Sequence, residues 1–168
     1  MVILGIDPGY AIVGFGVVEY GGKFGANDFR VIEYGAVTTK AHQKTENRLC
    51  EIYEGICELC DKFRPDALSI EELFFNTNAK TAVNVCQARG VILLAASKRG
   101  IPIYEYTPLQ IKQSVTGYGR AEKHQMIEMV KTLLGLKKAP KPDDTADALA
   151  AAICHAYSSS SILFKLNR

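Results

Sequence analysis

Acidic residues stand at three points of the chain where strands or helices are predicted to end or begin. Asp7 closes the apolar run VILGID, and Glu71 stands near the end of the apolar run ALSIEE. The segment PDDTADALA, residues 142–150, holds three more acids at the head of an alanine-rich stretch. Capping explains one acid at a helix start, because its side-chain oxygen accepts a backbone N–H that has no intrahelical partner. Capping does not explain three.

The spacing of the three acids indicates that at least two of them share a helix face. Asp144 and Asp147 stand three residues apart, and Asp143 and Asp147 stand four apart. Both spacings place the two side chains on one face of a helix. Spacing alone therefore leaves both pairs open, and Asp143 is our preferred candidate for the helix cap.

Carboxylates brought together in one cleft indicate a metal site. They repel one another and raise one another's pKa unless cations neutralise them. Mg²⁺ and Mn²⁺ prefer carboxylate oxygens, and no His or Cys stands beside these acids to favour zinc. Two such ions can hold a phosphodiester between them, one lowering the pKa of the attacking water and the other stabilising the leaving oxygen. The acids together therefore indicate metal-dependent phosphodiester hydrolysis, although Asp7 alone has the plainer interpretation of a turn residue and Glu71 that of a solvated strand end.

The elements that must position these acids follow from hydrophobic periodicity. Strands are predicted at 2–7, 11–20, 29–38, 67–72 and 101–106, and helices at 44–63, 78–100, 108–115, 121–134 and 144–157. The first three strands form an antiparallel meander, and the later ones follow crossover helices and so pair in parallel. We predict an α/β fold, a five-stranded mixed sheet flanked by helices on both faces. Ligands collect at the carboxyl ends of parallel strands, where Asp7 and Glu71 are expected.

Length and charge limit the remaining possibilities. The 168 residues, 48% of them apolar, predict a single domain over residues 1–158 with a flexible C-terminal tail at 159–168. No run approaches a membrane span and no basic leader precedes the first strand, so we expect a cytoplasmic protein with no membrane segment. The formal charge of +2 is uneven, because residues 98–141 hold nine Lys or Arg against three Glu. A solvated charged helix accounts for this distribution as well as a polyanionic partner does.

Five segments, taken in order, resemble the RuvC family of Holliday junction resolvases: LGIDPG, SIEELFF, NVCQARGV, IKQSVTGYGRAEKHQM and PDDTADALA. The resemblance implies a ribonuclease H-like fold, a homodimer and a Mg²⁺-dependent endodeoxyribonuclease. That enzyme makes two symmetric cuts across a four-way DNA junction in recombination and repair. Two Mg²⁺ per active site are implied, with Mn²⁺ as a substitute. The family's catalytic, metal-binding acids fall on Asp7, Glu71, Asp144 and Asp147. The branch-migration proteins RuvA and RuvB are implied as partners.

The same resemblance implies contacts with the DNA. Lys112 and Lys123 match two basic positions that the family uses at the bound strand. The glycine loop TGYGR enters a helix, where backbone N–H groups, Arg120 and Lys123 would attract a phosphate. Lys123 is also expected to offset charge on the scissile phosphate, a catalytic role. The family's base-stacking position matches Phe74. Core packing is the alternative for Phe74, and it is our expectation for Phe75.

Two alternatives stay open at the level of sequence. The helix around NVCQARGVILLAA is more apolar than a surface helix, which fits a subunit interface or a buried central helix. The function could be that of another ribonuclease H-like nuclease with a different nucleic-acid substrate, because a fold does not fix a substrate. The GIDPG loop also occurs in actin-like phosphotransferases, but these usually need a second, similar lobe, for which this chain is too short.

Overall fold

The chain alternates strands and helices in the order that the hydrophobic pattern predicts. The computed structural model describes residues 1–22, 28–73 and 79–160, without the side chains of 79–81. The elements within these residues are β1 (Val2–Asp7), β2 (Ile12–Tyr20), β3 (Phe29–Thr38), α1 (Thr45–Phe63), β4 (Ala67–Glu71), α2 (Ala79–Ser97), β5 (Ile103–Tyr106), α3 (Pro108–Thr116), α4 (Lys123–Leu133) and α5 (Asp143–Ser160). None of the described helices is long and apolar enough to cross a membrane.

The five strands form one mixed sheet in the order β3-β2-β1-β4-β5. β1 pairs antiparallel with β2, and β2 with β3, whereas β4 pairs parallel with both β1 and β5. One hydrophobic core lies between the sheet and α1 with α2, and a second lies between the sheet and the helices α3, α4 and α5. The predicted mixed sheet with helices on both faces is therefore confirmed.

The differences from the predicted elements lie at their ends. α2 ends at Ser97, three residues before the Gly100 that was expected to close it, and Gly100 itself has a φ of +69°. α5 begins with Asp143, so the expected cap is a residue of the helix's first turn, where a carboxylate still interacts favourably with the helix dipole. α5 also continues to Ser160, past the predicted start of the tail at 159.

Three glycines allow α5 to lie directly on the sheet. A Cβ on Gly5 of β1 would stand 2.1 Å from the carbonyl oxygen of Ala148, and one on Gly14 of β2 would stand 2.1 Å from that of Asp144. A Cβ on Gly16 would meet the Leu149 side chain at 2.5 Å. Any side chain at these positions would therefore push the helix away from the sheet. Glycine in a strand interior commonly marks such a close approach of another backbone.

Replacement of Gly14 tests this close approach. Gly14→Ala should lower the free energy of unfolding by about 2 kcal/mol or more, because the new methyl group meets backbone that cannot rotate away. Gly35→Ala is the matched control in the same sheet, since its Cβ would meet only the Phe15 ring, at 3.1 Å. We expect the control to cost less than about 1 kcal/mol. Urea unfolding measures both, and equal costs would contradict the proposed tight contact.

Candidate active site

The sheet brings Asp7 and Glu71 together at the carboxyl ends of two neighbouring strands. Asp7 is the last residue of β1 and Glu71 the last of β4, and the residues before them, Ile6 and Ile70, are partners in the parallel register. Side chains alternate between the two faces of a strand. Ser69, two residues before Glu71, donates a 2.7 Å hydrogen bond to Ala151 of α5. Glu71 therefore lies on the α5 side of the sheet.

The first turns of α5 bring two further acids to the same place. Asp7 pairs with Gly14 in the β1–β2 register, and Gly14 is the glycine that the backbone of Asp144 approaches. Asp147 follows on the same helix face, and its side chain is 30% exposed, against 60% for Asp143. Asp143 thus lies largely in solvent, whereas Asp144 and Asp147 lie near the strand acids.

Two carboxyl groups of the cleft, those of Asp7 and Glu71, have raised pKa values. Burial, followed by the charges of Asp147, Glu71 and Asp144, raises the pKa of Asp7 to about 7 against the opposing effect of Lys123. Burial also raises the pKa of Glu71, followed by the charge of Asp147, while Lys112 and Lys123 act in the opposite direction. A carboxyl with a pKa near 7 is one whose charged form lacks sufficient compensation.

Two lysines partly supply that compensation. Lys123, the first residue of α4, donates a 2.9 Å hydrogen bond to Asp147 Oδ2 and lies 3.8 Å from Asp143 Oδ2. Burial alone would lower the pKa of Lys123, but the bond to Asp147 and the nearby carboxylate charges raise it instead. Lys112 of α3 is half-buried and lines a cavity of about 300 Å³ together with Glu71, Lys123 and Asp147.

The position of this cavity in the sheet, rather than its volume, identifies it as a candidate binding site. A larger cavity, of about 650 Å³, lies where the C-terminal ends of α1 and α2 meet the segments that lead into β4 and β5. That cavity is at the amino ends of these strands. The smaller cavity is at their carboxyl ends, where α/β sheets bind their ligands, and Glu71 and Asp147 are part of its lining.

The donor set of the cleft fits a hard divalent cation. All four groups are carboxylates, and the raised pKa values of Asp7 and Glu71 show that a positive charge would stabilise them. In the described ranges, 1–22, 28–73 and 79–160, no three Asp, Glu, His or Cys side chains are already placed to hold one ion. The Lys123 ammonium lies against the carboxylate of Asp147, so this ligand is engaged in the conformation described.

The structure describes the positions of most of the candidate residues. It brings together Asp7, Glu71, Asp144, Asp147, Lys112 and Lys123, and it places Arg120 exposed in the turn before α4. Phe74 and Phe75 lie outside the described residues, so their roles stay predictions. The contacts of the three strand glycines with α5 were not predicted from the sequence, although glycine inside an apolar strand is a signal for them. The Lys123–Asp147 pair was not predicted either, because the 23 intervening residues leave no local signal.

The long helix α2 has two apolar faces, one buried in the core and one exposed to solvent. Its Ala88, Ile92, Ala95 and Ala96 are buried in the core on the α1 side of the sheet. On its other side, Val83 and Leu94 are 57% and 52% exposed, and Cys86 and Gly90 between them are exposed as well. We call Val83, Cys86, Gly90 and Leu94 the α2 stripe. Within one chain, α2 is therefore not a buried central helix.

The chain is similar to known proteins in both sequence and structure. The family model described as "Crossover junction endodeoxyribonuclease RuvC" matches residues 3–155. A protein of that name from Ruminiclostridium cellulolyticum is 60% identical over 158 residues, covering 94% of this chain and 93% of the relative. The structure of Thermus thermophilus RuvC matches with a TM-score of 0.86 and 39% identity over 95% of each chain. Its complex with a Holliday junction substrate matches with a TM-score of 0.88, at the same identity and coverage.

The unbalanced charge of Asp7 predicts a measurable dependence of stability on pH. Because its pKa is raised in the folded state, that state holds the Asp7 proton more tightly than the unfolded chain does. Stability should therefore fall as the pH rises from about 4 to about 7, and the full penalty should remain above that range. In EDTA at about pH 8, Asp7→Asn should raise the melting temperature by at least ~3 °C, a gain that disappears near pH 4.

The control for this measurement is Asp143→Asn. Asp143 is largely exposed and lies in the first turn of α5, where its charge is favourable, so no gain in melting temperature is expected. Differential scanning calorimetry across the pH range compares the two variants. An Asp7→Asn protein no more stable than the wild type at about pH 8 would show that the cleft carries no uncompensated charge.

Proposed function

Because the chain belongs to the RuvC family of crossover junction endodeoxyribonucleases, we propose that it resolves four-way Holliday junctions by cutting two DNA strands symmetrically. Its place is in homologous recombination and DNA repair. The observation that carries the proposal is the single cleft that Asp7, Glu71, Asp144 and Asp147 form with Lys112 and Lys123. Carboxylates for metal ions and ammonium groups for phosphate are the two sets of groups that phosphodiester hydrolysis requires.

Nucleases of this family are metal-dependent, and we assign the metal ligands of this chain to its four cleft acids. The ions are two Mg²⁺, with Mn²⁺ as a substitute, because all four ligands are hard carboxylate oxygens. Bound there, they would activate a water molecule and stabilise the leaving oxygen of a phosphodiester. Support for the assignment comes from the pKa of Asp7 and that of Glu71, both raised by burial and by the charge of neighbouring carboxylates, which a cation would offset.

The basic groups around the cleft would hold the DNA backbone. Lys112 lines the cavity beside Glu71, so a phosphate that reaches the acids would also reach its ammonium group. Lys123 stands at the start of α4, where the first backbone N–H groups of the helix also favour an anion. Arg120, exposed in the preceding turn, would contact a phosphate farther along the strand. Stacking of Phe74 on an unpaired base completes the proposed DNA contacts.

Paired cuts require two cleaving sites, and the described residues of one chain form one acidic cleft. We therefore propose a homodimer, with the α2 stripe as its interface. Val83 and Leu94 are among the most exposed large apolar side chains described, and covering them with a second copy would remove them from water. Gly90, whose added Cβ would meet nothing within 4 Å, lets another helix approach closely.

The cellular setting is proposed from the family alone. The resolvase would act in the cytoplasm, where a chromosome without a nuclear envelope is accessible. RuvA and RuvB, which move the branch point of a junction, would deliver the substrate. The excess of positive charge in residues 98–141 suits the DNA substrate itself.

Cleavage of a synthetic four-way junction tests the activity. With Mg²⁺, the wild-type protein should nick two opposing strands at symmetric positions and leave a linear duplex and an RNA–DNA hybrid intact. Asp7→Asn and Asp144→Asn should each slow cleavage at least ~100-fold, because a metal ligand is lost, while junction binding changes little. Asp143→Asn is the matched control on the same helix turn and should retain cleavage within ~3-fold of wild type.

Several outcomes of this assay would contradict the proposal. Cleavage of the hybrid alone would replace the junction by another substrate and favour a different ribonuclease H-like nuclease. Equal losses in Asp143→Asn and Asp144→Asn would undo the distinction between the exposed acid and the cleft acid. Loss of junction binding together with cleavage in Asp7→Asn would assign that residue to folding or DNA contact rather than to the metal site.

A single substitution tests the dimer. Leu94→Glu places a charge in the α2 stripe and should convert the protein from a dimer to a monomer at ~10 µM, as measured by light scattering. Leu109→Glu is the matched control, since Leu109 is 54% exposed on a helix outside the stripe. Leu109→Glu should leave the mass measured by light scattering at that of the wild-type dimer. A wild-type monomer, or a dimer that survives Leu94→Glu, would exclude this interface.

A further inference from the structure

Lys123 is in direct contact with one of the proposed metal ligands, Asp147. Its ammonium group bonds to Asp147 Oδ2 at 2.9 Å and lies within 3.8 Å of Asp143 Oδ2. It also acts on the charges of Asp7 and Glu71, so a single side chain partly neutralises several of the acids. A carboxylate oxygen that accepts a charge-assisted hydrogen bond from an ammonium group is less available to a second cation.

Lys112, the second lysine of the cavity, can be compared with Lys123 in its contacts with the acids. It lines the same cavity and acts on Glu71, and its effect on that carboxyl exceeds that of Lys123. Among the described residues, however, the hydrogen bonds and ion pairs of the cleft join Asp147 to Lys123 and not to Lys112. Both lysines thus contribute positive charge to the cleft, but only Lys123 forms a described hydrogen bond or ion pair with the candidate ligand Asp147.

We infer that Lys123 is the resident counter-cation of Asp147, which a divalent ion must displace in order to bind. The inference rests on the proposed function, because it concerns the same metal site. Lys123 acts here as a positioning residue through Asp147. Its long side chain is 54% exposed, so the ammonium group can leave Asp147 for solvent or for a phosphate without disturbing the packing of α4.

The exchange couples the metal to the DNA. A backbone phosphate near α4 is an alternative partner for the displaced ammonium group, and it lowers the cost of separating Lys123 from Asp147. By linkage, a DNA strand that binds Lys123 strengthens metal binding at Asp147, and a metal ion that frees Lys123 strengthens the phosphate contact. The cleft would therefore gain its full metal affinity only with a DNA strand in place.

Direct binding of Mn²⁺ to the DNA-free protein tests the exchange without any need for catalysis. Electron paramagnetic resonance counts free Mn²⁺ in titrations of the wild type, Lys123→Met, Lys123→Arg and Lys112→Met. Lys123→Met should bind Mn²⁺ roughly 3- to 10-fold more tightly than the wild type, because Asp147 has lost its competitor. Lys123→Arg retains the ion pair and should stay close to wild type. Lys112→Met, which removes the same charge from the same cavity, should gain at most about a third as much.

A second titration tests the coupling to phosphate. In EDTA, Lys123 remains paired with Asp147, so Lys123→Met should weaken binding of the four-way junction less than Lys112→Met does. Fluorescence anisotropy with a labelled junction measures both affinities, and no strand is cut in the absence of metal. A larger loss in Lys123→Met than in Lys112→Met would show that Lys123 binds DNA independently of any exchange.

The outcomes separate this inference from the function itself. A wild-type protein that cuts the junction in Mg²⁺, combined with a Lys123→Met variant that binds Mn²⁺ no more tightly, overturns the exchange and leaves the function standing. Equal gains in Mn²⁺ affinity in Lys123→Met and Lys112→Met also overturn the exchange, since the loss of one positive charge from the cavity would then explain the tighter binding. Absence of Mn²⁺ binding in every variant would overturn both the exchange and the proposed metal site.

Discussion

The contact between the backbone of α5 and the glycines of β1 and β2 is the constraint on which the cleft depends. The four acids come from three separate segments of the chain, two strand ends and one helix start. Parallel register places Asp7 beside Glu71, but only a helix lying directly on the sheet brings Asp144 and Asp147 to them. Any side chain at Gly5 or Gly14 would lift α5 and separate the two pairs of carboxylates.

The same packing determines where the positive charges lie. α3 and α4 pack against α5, and Ile111, Met126 and Val130 from these two helices are part of the core on that face. Lys112 follows Ile111, and Lys123 precedes Met126 by one turn, so the apolar contacts place both lysines at the rim of the cleft. The lysines are therefore positioned by hydrophobic packing, and the ion pair with Asp147 is a consequence of it rather than its cause.

Local sequence patterns were sufficient to predict the strands and helices but not which side chains of distant elements would be in contact. The alternating and apolar runs place β1 and β3 at the residues observed, and the 3.6-residue period places α1 within one residue of its start. The parallel pairing of β4 followed from its crossover helix. Contacts such as that of Lys123 with Asp147 depend on how helices pack in three dimensions, and no periodicity encodes them. The choice of Asp144 over Asp143 came from the family resemblance, and the greater exposure of Asp143 gives it a physical reason.

The locations of the cleft and the α2 stripe on the molecule are compatible with both serving one reaction. The cleft opens on the α5 side of the sheet, whereas α2 packs on the opposite side. A second copy that covers the α2 stripe would thus leave both clefts open to DNA. Arg89 of α2 forms an ion pair with Glu105 of β5. Glu105 precedes Tyr106, the register partner of Glu71, so this ion pair joins the helix that carries the α2 stripe to the strand beside a proposed metal ligand.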